Sequence, residues 1–156
     1  MHPGFFFTQF YPQKTGFSTV LLGCFSRTEK QVLQWAIESV ECYATEEPIL
    51  TSEDYTPGNW LVDDGGDLMA IIDFEDMLWG DRMFPFARLM NDYFPNNPSG
   101  EKAFYEGYGG CPPRENPIQS RIACAIYAGH YVTLGFRLNN KGYINRGQVA
   151  FKRIEG

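Results

Sequence analysis

Two short apolar runs, Trp60-Leu61-Val62 and Leu68-Met69-Ala70-Ile71-Ile72, flank the polar break Asp63-Asp64-Gly65-Gly66-Asp67. Runs this short bounded by turn residues read as strands, and glycine takes the positive φ of a tight reversal at little steric cost. A β-hairpin is therefore expected in the middle of the chain. The surrounding sequence has a different period. Ser26 with Glu29, or Thr28 with Gln31, matches a capping box, and Val32, Leu33, Ala36, Ile37 and Val40 then fall on one helical face, with Glu46-Glu47-Pro48 as the stop. Helical patterns recur from Phe84 to Tyr93, from Gly100 to Tyr108, from Pro117 to Leu138 and over 142–155, and Pro112-Pro113 breaks the chain between two of them. Residues 1–27 have poor periodicity and read as an irregular segment with a brief strand or turn. The expected fold class is α+β, mainly α, with one small hairpin. The expected organisation is one domain over 1–156, with a motif region at 51–89 and terminal helices over 100–156.

Composition narrows the function classes. Thirteen Lys and Arg against nineteen Asp and Glu give a net charge of −6, with no basic cluster beyond Lys152-Arg153. Such a surface repels phosphate backbones, which argues against a nucleic-acid partner. No run of about 18 apolar residues is present, and the start Met1-His2-Pro3-Gly4 has no basic leader, so neither a membrane span nor a signal peptide is expected. Four cysteines without a C-x-x-C pair, and only His2 and His130, argue against structural zinc; reduced thiols and a cytoplasmic location are expected.

The acidic residues carry the chemistry. Asp54 and Asn59 enter the first strand of the hairpin and Asp73 leaves the second, with Glu53, Glu75, Asp76 and Asp81 nearby. Antiparallel pairing brings Asn59 and Asp73 together at the open end of the ribbon. Converging oxygen ligands suit Mg²⁺, which keeps several waters and shares phosphates with the protein, and Asp54 would be left to orient or accept a proton. A solvated acidic turn explains the same residues equally well. A two-metal carboxylate cluster over Asp73-Phe74-Glu75-Asp76 has no further support in the chain. His130 reads as a core or half-exposed helical residue. Trp35, Trp60 and Trp79 read as core aromatics rather than a cation cage, with Trp79 close enough to the acidic motif to line an acceptor pocket.

The stretch Asp54-Tyr55-Thr56-Pro57-Gly58-Asn59-Trp60-Leu61-Val62, then Ile71-Ile72-Asp73-Phe74-Glu75, Gly80-Asp81 and Ala87-Arg88-Leu89, resembles the aminoglycoside phosphotransferase/choline kinase-type family, which has a protein-kinase-like fold. The resemblance covers about Thr51 to Leu89, and Ala103-Phe104-Tyr105-Glu106-Gly107-Tyr108-Gly109 is similar to a helix of the family's C-terminal lobe. It implies a C-terminal lobe in which Asp54 is the catalytic aspartate that orients or deprotonates an acceptor hydroxyl. It also implies that Asn59 and Asp73 hold Mg²⁺ against the phosphates of ATP, consistent with a reaction that needs positioning and charge neutralisation above all.

The sequence departs from the family pattern in three places. Ser52 stands where the family has a histidine beneath the catalytic loop, and Pro85 where it has an aspartate that anchors that loop. About fifty residues precede Asp54, and they contain no glycine-rich phosphate loop and no G-x-x-x-x-G-K motif. Two readings follow. One is an ATP/Mg²⁺-dependent phosphotransferase acting on a small-molecule hydroxyl, with a cationic acceptor favoured by the acidic face and the nucleotide-binding lobe absent. The other is a truncated or degenerate kinase-like module, non-catalytic, whose open apolar face invites self-association or a partner chain.

Overall fold

The computed structural model describes residues 23–39, 49–52, 54–75, 77–80 and 82–155. The expectations for residues 1–22, for Val40, for the stop at Glu46-Glu47-Pro48, and for Cys42, Glu53, Asp76 and Asp81 lie outside the described residues.

Helix α1, Arg27–Glu38, begins where the capping box places it. The Glu29 amide donates to Ser26 Oγ (3.3 Å) and the Ser26 amide to Glu29 Oε2 (2.6 Å), so two amides without helical partners are satisfied reciprocally. Of the two alternative caps in the sequence, Ser26 with Glu29 is the one used. Leu33 and Ala36 are buried, while Val32 and Ile37 are half-buried.

Four short strands follow: β1 (Ile49–Ser52), β2 (Trp60–Val62), β3 (Leu68–Ile71) and β4 (Met77–Gly80). β2 and β3 form the expected antiparallel hairpin, with Trp60 opposite Ile71 and Leu61 opposite Ala70. Asp63 organises the reversal: its Oδ1 accepts from the amides of Gly65 and Asp67, both at 2.9 Å, and Gly66 takes φ 89°. A second ribbon was not anticipated. β1 pairs antiparallel with β4, Ile49 opposite Gly80 and Ser52 opposite Met77, so one ribbon brackets the other in sequence. Four-residue strands ending in Thr51-Ser52 and Gly80 are too short for alternation to show, and the β2–β3 hairpin lies between them in the chain.

The rest is helical. α2 (Phe84–Arg88) runs into a π-helical turn at Leu89–Tyr93 and a 3₁₀ turn at Phe94–Asn96, then α3 (Pro98–Tyr108), α4 (Pro112–Glu115), α5 (Pro117–Arg137) and α6 (Lys141–Glu155). The single helix expected from Phe84 to Tyr93 is thus an α-helix that widens into a π turn. The break at Pro112-Pro113 holds one helical turn, because proline fits the first turn of a helix, where its missing N–H has no partner to lose.

Helix α5 is the centre. Ile122, Ala125, Ala128 and Val132 are fully buried, packed against Leu33 and Ala36 of α1, Ala87 of α2, and Ala150 and Phe151 of α6. Small residues let these helices approach closely. A second packing unit fixes the loop before β2: Phe104 of α3 lies against Tyr55 (ring centroids 6.1 Å apart), Trp60 (6.4 Å, rings within 7° of parallel), Phe86 and Phe94. The aromatics flanking Asp54 and Asn59 are therefore core anchors, and they hold the acidic loop on the helical base.

Candidate functional site

The loop from Ser52 to Asn59 is shaped by its own polar groups. The Asp54 amide donates to Ser52 Oγ at 3.2 Å, so the serine hydroxyl itself supports the loop backbone. Pro57–Asn59 form a single 3₁₀ turn closed by the Asn59 amide on the Thr56 carbonyl (2.9 Å), with Thr56 buried beneath. Proline presets this turn, and it aims Asn59 back along the loop.

Asn59 is the hub. Its Nδ2 donates to the Asp54 backbone carbonyl and to Asp54 Oδ2, both at 3.0 Å. With the nitrogen committed to Asp54, Asn59 Oδ1 is left as a free acceptor among the described residues. On the other side the Ile72 amide donates to the Asn59 carbonyl at 2.9 Å, the last rung of the hairpin. Asp73 follows at once, exposed and with φ 64°, a left-handed conformation that aspartate tolerates better than most residues and that breaks the strand direction at the ribbon mouth. The backbone therefore joins Asn59 to the residue next to Asp73, and side chains join Asn59 to Asp54.

One partner had no counterpart in the sequence reading. Arg88, the last residue of α2, places Nη1 against Asp54 Oδ1 in an ion pair across 34 positions, with side-chain exposures of 27% for the arginine and 32% for the aspartate. Burial works against the charge on Arg88, but Tyr127, Tyr131, Tyr93 and Asp92 outweigh it, so the guanidinium titrates higher than usual. A basic residue in Ala87-Arg88-Leu89 was visible; its target was not. Pro85, where a loop-anchoring aspartate was expected from the family pattern, sits in the first turn of α2.

The other singled-out residues sit elsewhere. His130 is on an exposed face of α5 beside Tyr127 (6.2 Å), Trp35 lies under the Arg121 guanidinium (4.9 Å), and Trp79 is exposed on β4. Among the described residues no three His, Cys, Asp or Glu side chains converge as a metal cluster. A cation held by Asn59 and Asp73 would need phosphate oxygens or water for its remaining ligands. Amide and carboxylate oxygens are the hard donors Mg²⁺ takes, and that is the chemistry these two side chains would supply.

A helical base thus carries a small ribbon, and the Asp54 carboxylate is held at its mouth between Asn59 and Arg88. Residues 15–118 match the phosphotransferase enzyme family, and the chain belongs to it, in keeping with the likeness of its motifs to aminoglycoside phosphotransferases and choline kinases. No curated protein and no solved structure matches the chain. Among the described residues no helix is long and apolar enough to cross a membrane.

Proposed function

We propose that the protein is an ATP- and Mg²⁺-dependent phosphotransferase whose acceptor is the hydroxyl of a small, cationic molecule. The observation that supports this reading is the double donation from Asn59 to Asp54, which holds the carboxylate and leaves Asn59 Oδ1 free to serve as a ligand, with Asp73 next in the chain after the Ile72–Asn59 rung. Asp54 would orient the acceptor hydroxyl and receive its proton as the new O–P bond forms and the bond to the departing ADP breaks. Asn59 and Asp73 would hold Mg²⁺, which when bound neutralises phosphate charge. The charge of −6, with Asp63, Asp64, Asp67, Asp73 and Glu75 exposed around the ribbons, favours a cationic acceptor. On this reading the described helices and ribbons form the catalytic lobe.

The test is thermal unfolding with MgATP. A nucleotide that binds only the native state must raise the midpoint, by about 2.7 kcal/mol of stability at a hundredfold excess over Kd. Wild type should shift and Asp73→Ala should not. An unshifted wild type at millimolar MgATP would favour the non-catalytic module instead.

A further inference from the structure

We propose that Arg88 is the positioning residue for Asp54, a role resting on the phosphotransferase reading. The carboxylate is gripped at both oxygens: Oδ2 by Asn59 of its own loop and Oδ1 by Arg88 of the helical base. The first grip moves with the loop. The second ties the loop to α2, whose Phe86 and Ala87 are buried in the main core, so that Asp54 takes its orientation from the packed helical base.

What stands behind Arg88 supports the role. Among its neighbours Tyr127, Tyr131, Tyr93 and Asp92, Asp92 of the π turn adds the one negative charge behind the guanidinium. Tyr131 in turn donates its hydroxyl to Asp92 Oδ2, and the π turn is tied to α5 by Asn91 Nδ2 on the Cys124 carbonyl (3.2 Å) and to α6 by Arg153 on the Asn91 carbonyl (2.6 Å). The other ion pair among the described residues, Lys102–Glu106, lies exposed within one helix and links nothing distant. A planar guanidinium can hold a carboxylate's direction in a way that a flexible ammonium cannot.

The experiment pairs a structural with a kinetic readout. In ¹⁵N spectra of arginine side chains, the Arg88 guanidinium should rotate slowly in the wild type and become fast in Asp54→Asn; Arg88 signals indifferent to that change overturn the proposal. Turnover is followed as hydrolysis of MgATP with water as acceptor. A misdirected carboxylate should lower kcat by about 10- to 100-fold in Arg88→Gln with KM for MgATP nearly unchanged, since the interaction serves orientation rather than nucleotide binding. Arg88→Lys should fall between, and guanidinium chloride at sub-denaturing concentration should restore Arg88→Gln but leave Asp54→Asn inactive. Equal loss in kcat and affinity without rescue, or an unaffected Arg88→Gln, overturns the positioning role while wild-type activity stands. A wild type that neither gains stability with MgATP nor turns it over overturns the phosphotransferase reading and this proposal with it.

Discussion

Gly147 of α6 lies directly on the Ala128 carbonyl of α5: a Cβ at that position would stand 2.6 Å from the oxygen and 2.6 Å from Val132 Cγ2. The two longest helices meet here through backbone. At the far end Gly135 makes the reciprocal approach, where a Cβ would stand 2.6 Å from the Ile144 amide nitrogen.

Gly147→Ala should therefore destabilise the protein. Overpacking against a carbonyl costs about 1–3 kcal/mol or more, and the roughly 1 kcal/mol gained in helix propensity offsets only part of it. Gly107→Ala on α3, where an added Cβ meets nothing within 4 Å, should instead stabilise by up to about 1 kcal/mol. Urea unfolding of the two variants should move the midpoint in opposite directions.

Asn59→Asp keeps an oxygen ligand and loses the donor that faces Asp54. Two carboxylates then meet where a charge-assisted hydrogen bond stood, and stability should fall by about 1–3 kcal/mol. Added Mg²⁺ should recover part of the loss in Asn59→Asp and none in Asn59→Ala, read as thermal midpoints with and without the cation.

Burial pushes the Cys124 thiol from an ordinary 9.0 up to about 12. Below pH 9 the thiol is protonated in both folded and unfolded chains and costs nothing. Between pH 9 and 12 only the unfolded chain ionises, so stability should decline by up to about 1.4 kcal/mol per pH unit from this group. Burial also raises Tyr105 and Tyr131, whose ordinary value is 10.0. The contribution of Cys124 is thus best isolated between pH 9 and 10, where Cys124→Ala should flatten the slope in denaturant titrations.

Tyr131→Phe removes the hydroxyl that donates to Asp92 Oδ2. A hydrogen bond to a charged acceptor contributes about 1.5–3 kcal/mol, and partial exposure of the pair places the expected loss toward the lower end. If the π turn supports Arg88 through this bond, Tyr131→Phe should also lower MgATP turnover, though less than Arg88→Gln.

The parts legible in advance were those whose signals are local. The Ser26–Glu29 box and the Asp63–Asp67 reversal each depend on residues a few positions apart, and each forms as expected. The β1–β4 ribbon and the π turn after Arg88 were missed, because four-residue strands carry no readable period and a π turn has no distinct spacing. In the site, proximity of Asn59 to the end of β3 followed from antiparallel pairing alone. Ser52, which looked like a lost support, turns out to accept the Asp54 amide.

Sequence alone singled out Asp54, Asn59 and Asp73 as candidates, since they lie within twenty positions and one hairpin relates them. Only the tertiary structure decided how the Asp54 carboxylate is held. The Arg88 guanidinium reaches Asp54 because α2 packs beneath the loop on α5, a contact across 34 residues set by burial of Phe86 and Ala87. Local pattern encodes turns and helix faces, whereas packing of apolar surfaces, which no short window of sequence contains, selects which distant charges meet.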